Sequence, residues 1–234
     1  MTSTSPIGTA ALSELVLKTT PPRAPRHLLL RPRLSLDDES LRERPILAVQ
    51  APPGFGKTSL LAQWRREILA RGAAVAWISA DEQCDAPRFL QSLVQAVRSG
   101  CARPAFGRNL VEGRGALAGE LEGVTAWLAE VAQTSLDLVL MVDEAERLPA
   151  AAFAVLSYLL HNAPPNLRVV VAARNGLDLE VADLCAYGYC LLIGAEALRF
   201  RVDEALDLIR TRLGAKVDAD TCARIHETVE EIGR

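Results

Sequence analysis

The sequence predicts an α/β fold in which a mainly parallel five-stranded sheet is covered by helices on both faces. Two observations lead to this prediction. Short apolar runs of strand length alternate along the chain with segments whose apolar residues recur at helical spacing. Strand and helix follow one another singly, which is the order that joins parallel strands through crossover helices.

Five apolar runs are predicted to form the strands. The first is bounded by Pro45 and Pro52, and the fourth, rich in valine, ends at an arginine. Each run is far shorter than the roughly 20 apolar residues that span a bilayer. The predicted strands are 46–50, 75–79, 138–142, 168–173 and 190–193.

Helices are predicted wherever apolar residues recur three or four positions apart. The first of them follows the first strand directly and is stopped by Gly72. Asp81, Glu82 and Asp85 follow the second strand and are predicted to cap the helix beginning near Pro87, with a water-positioning role as the alternative. The helical segments are 57–70, 89–97, 124–131, 150–160, 203–213 and about 218–231.

The composition is that of a soluble globular protein. Of the 234 residues, 50% are hydrophobic and 24% are charged, which excludes an intrinsically disordered chain. The net charge of -3 argues against a wide basic surface for nucleic acid.

The cysteine and histidine content points to the cytoplasm. Five cysteines form no C-x-x-C pair, which favours reduced thiols, and three widely spaced histidines leave little from which to build a zinc site. The first basic residue is Lys18, so the chain start lacks the charged region of a secretory signal. We therefore expect a cytoplasmic protein without a membrane segment.

Residues 51–58, APPGFGKT, lie between the first strand and its helix and carry the chemistry. Two glycines let the backbone curl so that successive N–H groups point at phosphate oxygens, and the following helix adds the positive end of its dipole. A phosphate-binding loop of this type predicts a P-loop NTPase, a three-layer sandwich that binds ATP or ADP with Mg²⁺. The alternative is a chance glycine-rich turn. The predicted nucleotide-binding residues are Pro53, Gly54, Phe55, Gly56, Lys57, Thr58 and Ser59.

Lys57 and Thr58 have distinct predicted roles within that loop. The ammonium group of Lys57 can reach the β and γ phosphates, and we count it among the catalytic candidates. The hydroxyl of Thr58 can ligate Mg²⁺.

An acidic pair, Asp143 and Glu144, follows the third predicted strand. The carboxyl ends of parallel strands form the edge where ligands bind in open α/β folds. Asp143 is therefore predicted to hold Mg²⁺, and Glu144 to orient or deprotonate an attacking water. A solvated acidic helix start is the alternative for this segment.

Arg174 ends the fourth predicted strand at the same edge. A cation there could sense the γ phosphate, and Arg174 is the third catalytic candidate. An ordinary surface arginine is the alternative.

With these motifs in place, the chain resembles the nucleotide-binding domain of the large ATP-dependent LuxR-type, MalT-like transcriptional regulators. The resemblance covers about residues 16–230. It is carried by KTTPPR at 18–23, RPRL at 31–34, APPGFGKTSLLAQW at 51–64, AWISADE at 76–82, PRFL at 87–90, AAR at 172–174 and LRFRVDEA at 198–205.

The resemblance implies a signal-transduction ATPase of the STAND class with sheet order 5-1-4-3-2. In that class ATP and an inducer together convert a closed ADP-bound monomer into an oligomer that activates transcription. It also implies further domains of the same regulator as partners, with self-association in the ATP state. The segment preceding the first strand runs near the adenine in such proteins.

The chain departs from the family pattern at several positions. The family often has Asp-Asp followed by an aromatic residue after the third strand, whereas this chain has Asp143, Glu144 and Ala145. Cys185 and Tyr187 stand where basic residues are usual. Residues 231–234 do not continue the family's usual Gly-Trp ending. The winged-helix, sensor-repeat and DNA-binding segments of such regulators lie outside these 234 residues.

We predict a flexible leader at 1–25, a P-loop nucleotide-binding domain at 26–196, and a helical segment at 197–234 that begins a lid or winged-helix region. The predicted function is that of an ATP-binding switch with weak ATPase activity, which does not itself bind DNA. Two alternatives stay open. One is a stand-alone AAA-like ATPase acting on nucleic acid, and the other is a nucleotide-binding interaction module without hydrolysis.

Overall fold

The centre of the protein is a parallel sheet of five strands. The structure, a computed structural model, describes residues 7–108, 110, 119–174 and 180–213. The strands are β1 (Ile46–Gln50), β2 (Ala74–Ser79), β3 (Leu138–Asp143), β4 (Leu167–Ala173) and β5 (Cys190–Ile193). They lie in the order β2-β3-β4-β1-β5. This confirms the predicted order 5-1-4-3-2, with each strand within one residue of its predicted bounds.

Helices cover both faces of the sheet. The predicted pattern at 89–97 belongs to a longer helix, whose first turn is capped by the carboxylate of Asp85 as predicted (Asp85 Oδ1 to the N–H of Arg88, 2.9 Å). The predicted helix at 218–231 lies outside the described residues. The helices are α1 (Ile7–Lys18), α2 (Glu39–Arg42), α3 (Lys57–Ala70), α4 (Ala86–Gly100), α5 (Glu120–Gln133), α6 (Ala150–His161), α7 (Ala182–Ala186), α8 (Ala195–Leu198) and α9 (Val202–Leu213), with 3₁₀ turns at Pro32–Leu34 and Ala145–Arg147.

Two hydrophobic layers hold these helices to the sheet. Alternate residues of β1 face opposite sides: Ile46 and Ala48 join the layer under α4, α5 and α6, whereas Leu47 and Val49 join the layer under α3. Trp64 of α3 is fully buried in the second layer. The result is the predicted three-layer sandwich, in which both faces of β1, the strand before the phosphate loop, are packed against helices.

The leader predicted as flexible contains a helix. Residues 7–18 form α1, which packs against α4 and β2, so the prediction is wrong for this stretch. The ammonium group of Lys18 lies 2.6 Å from Asp81 Oδ2 and 2.7 Å from Glu14 Oε1, and the next residue, Thr19, is buried. The remaining domain bounds stay predictions.

Within the described part of the chain, no helix combines the length and apolar character needed to cross a membrane.

Candidate functional site

The phosphate loop joins β1 to α3 at the carboxyl edge of the sheet. Gly54 and Gly56 have φ angles of 87° and 79°, in the left-handed region that only glycine adopts without strain. No atom lies within 4 Å of a Cβ built on either glycine, so the backbone angle, and not crowding, requires them. α3 starts at Lys57, and its first N–H groups have no partner within the helix. The loop therefore presents backbone donors to an anion.

Phe55 and Pro53 are two further residues of the predicted phosphate loop. Phe55 packs against the hydrophobic layer beneath α3, which anchors the loop between its two glycines. Pro53 is exposed at the tip, and Ala51 at the base is fully buried. Ser59 borders a small cavity described below.

The ammonium group of Lys57 folds back over the loop. Its Nζ donates to the carbonyl oxygens of Ala51 at 2.6 Å and Pro52 at 3.1 Å. The cation thus lies inside the curve of the backbone, where a bound phosphate would meet it.

Thr58 and Asp143, 85 residues apart, meet at the end of β3. The Thr58 hydroxyl donates to Asp143 Oδ2 at 2.7 Å, and the N–H of Glu144 donates to Oδ1 at 3.0 Å. Asp143 is only 4% exposed. Burial raises the pKa of its carboxyl group, while the two hydrogen bonds oppose that rise. A hydroxyl and a carboxylate side by side are the hard oxygen donors that Mg²⁺ prefers, so these residues fit the predicted metal.

Glu144 directly follows this pair in a left-handed backbone conformation, with φ 57° and ψ 35°. Its side chain is exposed, and its carboxylate lies 3.2 Å from Arg147 Nη1. Glu144, the residue predicted to activate water, therefore lies at the carboxyl edge of the sheet. Its carboxylate is paired with Arg147 of the following turn.

Arg174 follows β4 and is held by Glu146, a residue that the sequence analysis did not single out. Arg174 Nε lies 3.0 Å from Glu146 Oε1, and its backbone N–H donates to Oε2 at 3.2 Å. The turn Ala145–Arg147 thus pairs with both catalytic candidates, Glu144 and Arg174. A cavity of about 480 Å³ borders it, lined by Glu82, Glu146, Arg147, Leu148, Pro149 and Arg174.

A second cavity, of about 190 Å³, lies beside the phosphate loop. One wall is formed by Gly54, Gly56 and Ser59, and another by the segment 25–31 that precedes β1. Phe200 and Leu208 close it from the C-terminal side. Three parts of the chain that are distant in sequence therefore meet next to the predicted nucleotide.

A buried ion-pair cluster, which we call the Glu204 clamp, holds these parts together. Glu204 of α9 accepts hydrogen bonds from Arg31 Nε and Nη2 (3.2 and 3.1 Å) and from Arg33 Nε and Nη2 (2.9 and 3.1 Å). Burial alone would raise the pKa of Glu204, but the hydrogen bonds from Arg33 and Arg31 lower it to about 2. Arg31 also stacks on the ring of Phe200, with its guanidinium carbon 4.9 Å from the ring centroid.

The clamp continues into α3 through Gln63. The side chain of Gln63 accepts from the N–H of Arg31 at 2.8 Å and donates to its carbonyl oxygen at 3.2 Å. The segment before β1 is therefore fixed to both α3 and α9. The only hint in the sequence is the pair of motifs RPRL and LRFRVDEA, which gives no sign that they touch.

Cys185 and Tyr187 occupy the two positions at which the family usually has basic residues, and neither contributes to the site at the carboxyl edge of the sheet. Cys185 packs against the hydrophobic layer under α4, α5 and α6, and Tyr187 is 77% exposed.

The parallel sheet, the glycine loop and the Thr58–Asp143 contact define the class of protein as a P-loop nucleotide-binding domain. More particularly, the chain belongs to the AAA domain family, whose model matches residues 40–179.

Curated relatives match most of the chain. It is 30% identical over 195 residues to the serine/threonine-protein kinase PknK of Mycobacterium tuberculosis, which covers 81% of this chain and 17% of that protein. It is 26% identical over 206 residues to the HTH-type transcriptional regulator MalT of Klebsiella pneumoniae, covering 87% of this chain and 22% of MalT. The chain thus spans about a fifth of the length of these relatives.

Solved structures share the fold at low sequence identity. The Walker-type ATPase PABY2304 of Pyrococcus abyssi has a TM-score of 0.55 at 16% identity, over 92% of this chain and 66% of that one. Cdc6p of Pyrobaculum aerophilum has a TM-score of 0.54 at 16% identity, over 92% of this chain and 57% of its own.

Proposed function

We propose that this chain is the ATP-binding and slowly hydrolysing switch domain of a signal-responsive, LuxR/MalT-type transcriptional regulator. The single observation that carries the nucleotide assignment is the 2.7 Å contact between Thr58 of the loop and Asp143 of β3. It brings the two predicted metal-binding side chains to one point beside Lys57. Similarity to MalT over 87% of the chain supports the regulatory part of the proposal.

In this proposal the loop N–H groups and Lys57 bind the β and γ phosphates, and Thr58 and Asp143 hold Mg²⁺. The metal, when bound, would offset the negative charge of those phosphates. The cavity of about 190 Å³ beside Gly54 and Ser59 would take the base and ribose. Its walls come from the segment before β1 and from the residues around α9, so nucleotide binding would bear on both.

The ion pairs of the turn Ala145–Arg147 support slow hydrolysis. In the proposed reaction Glu144 orients or deprotonates the attacking water, and Arg174 stabilises charge on the transferred phosphoryl group. Glu144 is paired with Arg147, and Arg174 with Glu146. Each side chain must leave its partner before it can act, which suits a domain that dwells in its ATP state.

The proposed partners are further domains of the same regulator, with self-association in the ATP state. The Glu204 clamp supports this, because it links the walls of the cavity beside the phosphate loop to α9, the last of the described helices. In the proposal this chain does not itself bind DNA. Its net charge of -3 supports that view, and the proposed setting is the cytoplasm.

A second candidate is an AAA-like ATPase that acts on nucleic acid. The fold, which is shared with Cdc6p, is compatible with this alternative. Stimulation of hydrolysis by DNA would favour the second candidate over the first. A third candidate, a nucleotide-binding module without hydrolysis, draws support from the Glu144–Arg147 pair, and measured turnover would exclude it.

The test is single-turnover ATP hydrolysis beside equilibrium nucleotide binding. Glu144→Gln should keep ATP affinity and lose about 10²–10⁴-fold in rate, because the amide cannot accept a proton. Asp143→Asn should weaken Mg²⁺-dependent binding itself. Glu196→Gln, an exposed glutamate of α8, is the matched control and should behave like the wild type. Equal hydrolysis rates in wild type and Glu144→Gln would refute the catalytic role of Glu144.

A further inference from the structure

A cleft separate from the phosphate loop lies between α3 and the segment that follows α1. Its volume is about 330 Å³. Three arginines border it: Arg23 of the segment 20–24, and Arg65 and Arg66 of α3. We call it the arginine cleft. Pro21, Pro22, Ala62 and the buried Trp77 of β2 supply its apolar walls.

Among the described residues, none of the three guanidinium groups has an acidic partner. The side chains of Arg23, Arg65 and Arg66 form no hydrogen bond or ion pair there, and the Nε of Arg65 is buried without an acceptor. A donor buried in this way costs about 1–3 kcal/mol unless an acceptor reaches it.

The neighbouring carboxylates are already engaged elsewhere. Glu67, the residue after Arg66 in α3, accepts from Gln63 Nε2 at 2.9 Å and from the N–H of Leu36 at 2.8 Å. Asp81 pairs with Lys18. The cleft therefore gathers three positive charges that no carboxylate of the described residues compensates, whereas the arginines of the Glu204 clamp share an anion.

We propose that the arginine cleft binds a small molecule that carries a carboxylate or a phosphate on a compact apolar body. Guanidinium groups pair with both oxyanions through parallel hydrogen bonds, and the side chains of Arg23, Arg65 and Arg66 all border the cleft. The proline, alanine and tryptophan walls select against a fully hydrated ion. The assignment stands on the cleft alone and does not depend on the proposed nucleotide switch.

The arginine cleft and the phosphate loop are two separate anion sites on one helix. Arg65 follows Lys57 by eight residues, which at 1.5 Å per residue places it about 12 Å further along α3. A ligand in the cleft would therefore not compete for the phosphate loop, and the two sites can be filled independently in an experiment.

The test uses the 234-residue chain with the phosphate loop saturated by ADP and Mg²⁺. Phenyl phosphate and phthalate are titrated separately while the Nε–H signals of ¹⁵N-labelled arginine are followed by NMR. We expect saturable binding with a Kd below about 1 mM for at least one probe. Tighter binding of phenyl phosphate would identify a phosphate ligand, and tighter binding of phthalate a carboxylate ligand.

Substitutions locate the binding. Arg65→Gln and Arg66→Gln should each weaken it by about tenfold or more, since each removes a charge-assisted contact. ADP affinity should stay unchanged and shows that each variant is folded. Arg103→Gln, an exposed arginine after α4, is the matched control and should bind the probes like the wild type. The proposal is overturned if neither probe binds saturably, or if Arg66→Gln binds as tightly as the control.

Discussion

Replacing Glu204 by glutamine would remove the carboxylate that Arg31 and Arg33 share. Arg31 is 5% exposed and would remain a buried cation without its anion. The pKa of Glu204 is about 2 in the folded protein, against an ordinary value of 4.5. At about 1.4 kcal/mol per pKa unit, this difference corresponds to about 3 kcal/mol of folding free energy. Loss of one partner of a buried pair costs a similar amount, about 3–5 kcal/mol. We therefore expect Glu204→Gln to lower the free energy of unfolding at pH 7 by about 3 kcal/mol.

The dependence on pH separates this mechanism from a mere packing defect. A carboxylate whose pKa is lower in the folded state stabilises the fold above its unfolded pKa and loses that contribution as the pH falls. For Glu204 the loss runs from about pH 4.5 down to about 2. The stability gap between wild type and Glu204→Gln should therefore narrow through this range.

Urea unfolding from pH 7 to pH 3.5, followed by far-ultraviolet circular dichroism, measures the gap directly. Glu196→Gln is the matched control, because its exposed carboxylate lies 3.5 Å from Arg199 and should contribute about 0–1 kcal/mol. A gap below about 1 kcal/mol at pH 7, or one that does not change with pH, would refute the reasoning.

Three further predictions concern the phosphate loop and DNA. ADP with Mg²⁺ at 100 times Kd should raise the melting temperature by about 5–10 °C, and Lys57→Ala should abolish most of this shift in a thermal-denaturation scan. Gly56→Ala should cost about 1–2 kcal/mol in urea unfolding and weaken ADP binding, because φ at this position is 79°. An unchanged ADP affinity in that variant would contradict the argument that the phosphate loop requires glycine at position 56. Finally, the purified chain should not retain duplex DNA sequence-specifically at physiological salt in a gel-shift assay, since its net charge is -3.

Much of the fold could be predicted because its determinants are local. β3 and β4 contain the uninterrupted apolar runs 138–142 and 169–173, which is the pattern of a buried parallel strand. The contact between Thr58 and Asp143 could also be predicted, because Asp143 ends β3, Thr58 follows the loop after β1, and the carboxyl ends of both strands lie at one edge of the sheet.

The parts that were missed depend on contacts between segments that carry no local signal. α1 is followed by threonine and proline residues that favour turns, and its packing against α4 and β2 has no local signal in the sequence. The Glu204 clamp joins residues 173 positions apart. Likewise, the pairing of Arg174 with Glu146 follows from how the turn after β3 lies beside the end of β4, and spacing along the chain does not reveal it.

The position of β1 within the sheet has a consequence for how the protein is made. Its hydrogen-bonding neighbours are β4 and β5, so that Ile46 pairs with Val169 on one side and with Cys190 on the other. At about 5–20 residues per second, a ribosome needs about 6–25 s to advance the 123 residues from Ile46 to Val169. During that time the apolar strand that leads into the phosphate loop has both edges unpaired, and it is open to chaperones or to other chains. We therefore expect the sheet on both sides of the strand that leads into the phosphate loop to form only after β4 and β5 have been synthesised.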